Sequence, residues 1–147
     1  YESTNVAHSV RLAIDEVGTA DATLIVYGDL VFNRAAIAGI DRWHDNRVIV
    51  DSAGRLAKRK VGVGIENGTV SSFDFGWALK WVPIAYLGPE AVDGLAGIAR
   101  QNPHLFGFEV FNEMSGRGVV FHAWEPRNMK IHEVDRPSDI PRKVAIL

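Results

Sequence analysis

The stretch Ala22-Thr-Leu-Ile-Val-Tyr-Gly-Asp29, which continues as Leu30-Val-Phe32, decides the fold. Its first six residues are apolar at nearly every position, as expected for a strand that is covered on both faces of an α/β sheet. Gly28 allows a sharp turn, and Asp29 then lies at the carboxyl end of the strand, where open α/β sheets bind ligands. Its carboxylate is a hard oxygen ligand of the kind that suits Mg²⁺. An ordinary turn is the alternative interpretation of this Gly-Asp pair.

Helical and strand patterns alternate along the rest of the chain. The periodicity predicts helices over about 5–17 (capped by Ser3 or Thr4), 34–40 (capped by Asn33), 89–100, 106–114 and from 137 onward. It predicts strands over 22–27, 48–50, 60–66, 69–73, 81–87, 119–124 and 130–134. Two alternating runs flank Asn67-Gly68, the strongest short-range signal of a hairpin. The fold class that follows is α/β: a partial doubly wound, Rossmann-like sheet, mostly parallel but mixed, with an inserted β-hairpin.

Length and composition are typical of a single globular domain, residues 1–147, with 47% apolar and 23% charged residues. The net charge of −2 provides no general attraction to nucleic acid or to anionic membranes. The absence of cysteine excludes disulfides and thiolate chemistry, and it agrees with a cytoplasmic location. No apolar run has the length of a transmembrane helix. Because the first residue is Tyr1 and not methionine, we expect that an upstream segment was removed or is not included.

Three segments together resemble a family of nucleoside-triphosphate transferases. They are the capped helix Tyr1–Val17, the Tyr27-Gly-Asp29 strand end, and Ile131-His-Glu-Val-Asp-Arg-Pro-Ser-Asp-Ile140. The chain is similar to the phosphocholine and 2-aminoethylphosphonate cytidylyltransferases, which activate small phosphorylated head groups. The resemblance covers the later, C-terminal portion of that family's domain. The family's opening strand and its glycine-rich, Arg/Lys-bearing nucleotide loop have no counterpart in these 147 residues. One sheet edge and one helical layer should then be exposed, which predicts a longer parent protein or a homo-oligomer.

The resemblance implies a magnesium site on carboxylates. In the family, a Gly-Asp after the central strand and a Glu-x-Asp near the end of the domain hold the catalytic metal. The matching residues in this chain are Asp29, Glu133 and Asp135. The period-two spacing of Glu133 and Asp135 places both on one face of a strand. Without the resemblance, an exposed polar face on an edge strand is the simpler interpretation of this pair.

Basic residues near the predicted sheet are candidates for phosphate binding. Lys80 lies between Trp77 and Trp81 where the chain re-enters the sheet, and the resemblance implies a catalytic, charge-neutralising role there. A surface lysine at a strand entry is the alternative. Arg55 and Lys58-Arg-Lys60 form a basic loop that either steers a triphosphate or is simply solvated.

Candidate contacts to the acceptor are aromatic and polar. Trp77, Trp81 and Tyr86 would bind a cationic head group through their rings, although most aromatics at such spacing are core residues. Glu109 would pair with an amino group, or be an ordinary helix-surface carboxylate. Asn5 opens the first helix, where free backbone N–H groups favour anions, and capping is its alternative role.

Two functions therefore remain open. The first is Mg²⁺-dependent nucleotidyl transfer from a nucleoside triphosphate, with CTP implied by the resemblance, to a small phosphorylated acceptor or sugar phosphate with release of pyrophosphate. The second is a non-catalytic module that binds a nucleotide, a sugar phosphate or another subunit. On the first hypothesis we expect the 147-residue chain alone to be inactive, because it lacks the nucleotide loop.

Overall fold

The computed structural model describes residues 5–53, 60–134 and 137. Its helices are α1 (Val6–Val17), α2 (Pro89–Gln101) and α3 (Gly107–Gly116), with two 3₁₀ helices at Arg34–Ile37 and Ile40–Arg42. Its strands are β1 (Thr23–Val26), β2 (Leu30–Phe32), β3 (Arg47–Asp51), β4 (Val61–Glu66), β5 (Thr69–Phe75), β6 (Leu79–Leu87), β7 (His122–Trp124) and β8 (Ile131–Glu133). The α/β class is thereby confirmed.

Helix α1 begins and ends at the signals that the sequence offers. The side chain of Asn5 accepts a hydrogen bond from the N–H of Val6, so Asn5 and not Thr4 or Ser3 is the N-cap. Gly18 ends the helix at φ 86°, a conformation that glycine adopts without strain, and its N–H donates to the carbonyl of Ile14.

The main sheet has six strands in the order β5-β4-β6-β3-β7, and β1 pairs with β6 off this path. Pairs β1–β6, β3–β6, β4–β5 and β4–β6 are antiparallel, and β3–β7 is parallel. The sheet is mixed as predicted, but the prediction of mostly parallel strands is wrong. Strands β4, β5 and β6 follow each other through turns of two and three residues, which are too short for a parallel crossover.

The predicted hairpin is confirmed as β4–β5. Glu66 pairs with Thr69 across a two-residue turn, and both turn residues have positive φ, 51° at Asn67 and 81° at Gly68. This is the type I′ geometry, whose twist matches that of the strands it joins.

The two faces of the main sheet bury different cores. On one face, helices α1, α2 and α3 cover the larger core, which includes Phe73, Trp81 and Phe121. On the other face, Trp43, Val82 and Ile84 form a smaller core. Residues of a separate two-stranded sheet, β2–β8, pack against this smaller core through the side chains of Leu30, Phe32 and Ile131.

Strand β6 has one edge that two strands share end to end. Strand β4 pairs with its beginning, at Leu79 and Lys80, and β1 pairs with its end, from Ile84 to Leu87. The N–H of Tyr27 reaches the carbonyl of Pro83, and there β1 leaves the sheet. The carboxyl end of β1 therefore faces the start of β4 across a gap on β6, where Pro83 offers no N–H to a neighbouring strand.

The region after β1 does not form the helix predicted over 34–40. The chain forms strand β2 and then the two short 3₁₀ helices. The side chain of Asn33 caps neither of them; it accepts from the N–H of Lys130 and donates to the carbonyl of Asn128, both at 3.0 Å. Asn33 thus fastens the start of this region to the segment before β8. Of the predicted helix from 137 onward, all but Pro137 lies outside the described residues.

No helix within 5–53 or 60–134 is long and apolar enough to cross a membrane.

The start of α3 depends on the close approach of Tyr27. A Cβ built on Gly107 would lie 1.7 Å from the Tyr27 hydroxyl, whereas one built on Gly97 in α2 would meet nothing within 4 Å. We predict that Gly107→Ala lowers the free energy of unfolding by about 1–3 kcal/mol, because the ring must move. Gly97→Ala should raise it by about 0.4–1 kcal/mol. Urea denaturation of both variants tests this, and equal effects would contradict the packing described.

Candidate functional site

Asp29 lies where the chain leaves β1, beside the gap on β6. Its side chain is exposed and has no hydrogen bond or ion pair with the described residues, while its carbonyl accepts from the N–H of Val134 at 2.8 Å. Burial and, secondarily, the negative charge of Asp29 raise the pKa of Tyr27 above its ordinary value. Asp29 is thus a free carboxylate anchored by its backbone to the end of β8.

Glu133 occupies the other side of the gap and binds two lysines. One of its carboxylate oxygens contacts the ammonium group of Lys60, just before β4, and the other lies 3.2 Å from that of Lys80 in β6. The side chains of Glu133 and Lys80 are 11% and 17% exposed, and that of Lys60 is 33% exposed. A carboxylate that is so poorly hydrated is stable only when it is paired, and here two cations share it.

The register explains why these groups meet. Glu133 pairs with Leu30, so it shares the face of the β2–β8 sheet that packs onto the main sheet. Lys80 pairs with Gly62 on one side and Asp51 on the other, so all three lie on the face of the main sheet that receives β2–β8. Lys60 and Lys80 thus bring two ammonium groups to one carboxylate.

The predicted metal ligands have separate environments in the structure. Asp29 is exposed and free, Glu133 is enclosed by lysines, and Asp135 lies outside the described residues. Among the residues that the structure describes, no group of three or more His, Cys, Asp or Glu side chains is arranged to hold a metal ion. Of the two described candidates, Asp29 has the accessibility of a ligand, and the joint set of three stays a prediction.

The three aromatic residues predicted to contact the acceptor differ in their exposure to solvent. Trp77 is 42% exposed; its indole N–H donates to the hydroxyl of Ser72, and its ring lies against the backbone of Gly64. Tyr86 is half-buried edge-on against Trp43. Trp81 is buried in the larger core, in edge contact with Tyr27 and Phe73 rather than open to a ligand.

The two polar candidates are occupied by capping. Besides capping α1, Asn5 donates from its amide to the carbonyl of His104 at 3.1 Å. Glu109 accepts from the N–H of Phe106 at 2.7 Å, at the start of α3. Capping is the alternative that the sequence left open for Asn5, whereas for Glu109 it is a role that the sequence analysis did not name.

Lys60 is the site residue that the sequence analysis did not single out. It stands last in the basic loop and directly before the strand Val61–Glu66. Its place next to the strand was the available signal, because a charged residue at the start of a strand has its position fixed by the sheet.

The fold is that of known nucleotidyltransferases. The inositol-1-phosphate CTP transferase from T. maritima superposes with a TM-score of 0.77 at 13% identity, over 96% of this chain and 60% of that one. A putative glucose-1-phosphate thymidylyltransferase from Bacillus anthracis gives 0.72 at 15% identity, over 97% and 61%. The nucleoside-diphosphate-sugar pyrophosphorylase from Vibrio cholerae RC9 gives 0.70 at 14% identity, over 92% and 62%.

These comparisons confirm the resemblance at the level of the fold. The chain spans about 60% of the length of the solved structures it matches. No protein-family model matches the sequence. No curated protein matches it at a significant level.

The lysine–carboxylate cluster makes a testable contribution to stability. We predict that Glu133→Gln lowers the free energy of unfolding by about 1–3 kcal/mol, because Lys60 and Lys80 lose their shared counter-charge. Adding Lys80→Met should recover part of this loss, with a coupling energy of at least about 0.5 kcal/mol.

The matched control is Asp45→Asn, which removes the ion pair between Arg47 and the exposed carboxylate of Asp45 and should change stability by less than about 0.5 kcal/mol. Urea denaturation of the wild type, Glu133→Gln, Lys80→Met, the double variant and Asp45→Asn provides these values, including the coupling energy. If Glu133→Gln costs no more than the control, the cluster is not the paired site described above.

Proposed function

We propose that this chain contributes the acceptor side and a metal ligand to the site of a nucleotidyltransferase. The observation that carries the proposal is that the backbone of Asp29 is bonded to Val134, the residue after Glu133, while the carboxylate of Glu133 binds Lys60 and Lys80. The fold is common to three enzymes of nucleotide-linked sugar or inositol chemistry. The carboxyl end of a strand beside such a gap is where α/β sheets bind ligands. Transfer to a phosphorylated small molecule is the reaction class that this arrangement supports best.

In the proposed reaction, a phosphate oxygen of the acceptor attacks the α-phosphorus of a nucleoside triphosphate. The bond between the α-phosphorus and its bridging oxygen breaks, and pyrophosphate leaves. The protein's task is to align two anions and to offset their charge. Lys60 and Lys80 are suited to offsetting negative charge, since both ammonium groups lie at Glu133 beside the gap.

A divalent ion such as Mg²⁺ would be held by carboxylates at this place. Asp29 fits a hard cation, because it is exposed and free of partners within the described chain. Glu133 could bind the ion only when Lys60 and Lys80 contact phosphate oxygens in place of its carboxylate. Asp135 completes the proposed set of ligands. When bound, the ion would neutralise charge on the phosphate oxygens. Anion binding and metal binding are then coupled through Lys60 and Lys80.

The finer features belong to the same proposal. CTP is the proposed nucleotide, a small phosphorylated head group or sugar phosphate is the proposed acceptor, and the cytoplasm is the proposed location. Trp77, at the open end of the β5–β6 turn, is the aromatic best placed to contact a head group. Activity is proposed for the C-terminal portion of a domain acting with the rest of that domain, so the 147-residue chain should bind weakly and not turn over.

Asp29 provides the direct test of the metal site. We predict that Asp29→Asn lowers the Mn²⁺-dependent affinity for CTP at least tenfold, because it removes an exposed carboxylate beside the gap. Asp21→Asn, an exposed change before β1, is the matched control and should leave affinity within twofold. Isothermal titration with and without Mn²⁺ measures both, and unchanged affinity in Asp29→Asn would remove this site from the proposal.

A non-catalytic binding module is the second candidate. It is favoured by one observation: Glu133 is paired with Lys60 and Lys80, and the described residues hold no cluster of acidic side chains or histidines arranged for a metal ion. The two candidates differ in pyrophosphate release from CTP by the protein encoded by the full reading frame. Release that depends on Asp29 supports the transferase, and anion binding without release supports the module.

A further inference from the structure

The turn that presents Asp29 is held at both of its ends. The N–H of Leu30 donates to the carbonyl of Tyr27, so Gly28 and Asp29 are the central residues of a β-turn, and both are exposed. At one end of the turn, Tyr27 donates its N–H to the carbonyl of Pro83 at 3.2 Å. At the other end, Leu30 enters β2. The position of the Asp29 carboxylate therefore depends on how firmly these two ends are fixed.

The ring of Tyr27 anchors the first end of the turn in the larger core. It packs against that core and meets Trp81 edge-on, with a centroid distance of 5.9 Å and an interplanar angle of 74°. Its hydroxyl lies at the first residue of α3, because a Cβ built on Gly107 would be 1.7 Å from the hydroxyl oxygen and 3.0 Å from the ring carbon that bears it. The ring is thus held between the main sheet and the helical layer.

The start of α3 gives the ring a well-fixed neighbour. The N–H of Phe106 donates to the carboxylate of Glu109 at 2.7 Å, and the N–H of Val110 donates to the carbonyl of Phe106 at 3.2 Å. Gly107 is buried, and its lack of a side chain leaves the room that the hydroxyl of Tyr27 occupies. A side chain at position 107 would displace the ring rather than the start of the helix.

The side chain of Asp29 has no contact of its own that would orient it. Within the described residues its carboxylate makes neither a hydrogen bond nor an ion pair. A group that binds a ligand well is held near its productive position by supporting residues before the ligand arrives. For Asp29 this support comes through the backbone, from Val134, whose N–H donates to its carbonyl at 2.8 Å, and from Tyr27 two residues earlier.

We propose that Tyr27 is a positioning residue for Asp29. Its ring, held between Trp81 and Gly107, fixes the turn that places the Asp29 carboxylate beside the gap on β6. A contact in the core thereby sets the affinity of an exposed carboxylate for a metal–nucleotide complex. The contact between Tyr27 and Gly107 is a matter of geometry, whereas its effect on affinity rests on the proposed function.

A double-mutant cycle between Tyr27 and Gly107 tests the proposal through the Mn²⁺-dependent affinity for CTP, measured by isothermal titration. Gly107→Ala should lower this affinity at least about fivefold, because the new Cβ displaces the ring and shifts the turn. In the Tyr27→Phe background the same substitution should cost at most about twofold, because the nearest ring atom is then 3.0 Å from the Cβ. Tyr27→Leu, which removes the ring and leaves Gly107 intact, should lower the affinity at least about fivefold by itself.

Val70→Ala is the matched control for loss of stability. Val70 is buried in the same core, at 7% exposure, but it lies in β5 beside the hairpin turn and not at the gap. Removing two methyl groups leaves a cavity that lowers stability, as Gly107→Ala does by crowding. Its Mn²⁺-dependent affinity should stay within about twofold of the wild type, because distant sites contribute independently. All titrations are made under conditions in which urea curves show each variant to be folded.

Backbone amide spectra without metal or nucleotide report on the contact separately from ligand binding. The signals of Gly28, Asp29 and Leu30 should move in Gly107→Ala. They should move less when Gly107→Ala is added to Tyr27→Phe, because the hydroxyl that the Cβ would meet is absent. In Val70→Ala these three signals should keep their wild-type positions.

Two results would overturn the proposal. One is that Gly107→Ala causes no loss of affinity, or an equal loss with tyrosine and with phenylalanine at position 27. The other is that the signals of Gly28, Asp29 and Leu30 do not move in Gly107→Ala. Failure of the proposed function looks different: the signals follow the cycle, but Asp29→Asn leaves the affinity unchanged. The positioning of Asp29 then stands, and its role as a metal ligand falls.

Discussion

The pairing of strand β6 is the constraint on which the rest of the structure depends. A strand has two edges, and this nine-residue strand gives one edge to β3 and divides the other between β4 and β1. Two strands that share an edge end to end must leave a gap, and Pro83 lies where the gap falls. Lys60, Lys80 and Glu133 come together near that gap because β4 begins there and β8 lies over the same part of β6.

The electrostatics of the site follow from this arrangement. The β2–β8 sheet packs onto the main sheet through apolar side chains, and Glu133 is carried into the interface by the same face of its strand. A poorly hydrated carboxylate there requires cations, and the entries of β4 and β6 supply Lys60 and Lys80. Asp29, one residue before β2, stays outside the interface and keeps its oxygens free. One carboxylate thus organises lysines while the other remains available to a ligand.

Local signals predicted the local structure. The Asn67-Gly68 hairpin and helix α1 lie where the sequence placed them, although Asn5 and not Ser3 or Thr4 caps the helix. Asp29 was likewise predicted at the end of a strand. Strand direction was not predictable in this way, because a helix between two strands in the chain does not determine whether they become neighbours in the sheet. Strands β3 and β6 are neighbours across a hairpin and run antiparallel.

The parts of the site that were missed depend on contacts between distant residues. Glu133 and Lys60 are separated by 73 residues, and nothing near either residue in the chain indicates the other. Strand β2 is three residues long and exists only because β8 pairs with it. The core position of Trp81, by contrast, could have been predicted, since apolar residues follow it through most of β6.

Paramagnetic relaxation by Mn²⁺ shows directly whether the functional site lies at the gap on β6. In backbone amide spectra recorded with Mn²⁺ and CTP, signal loss should centre on Gly28, Asp29 and Val134 and weaken with distance from them. Signal loss centred elsewhere, for example on His44 and His122 at the opposite end of β3, would contradict it.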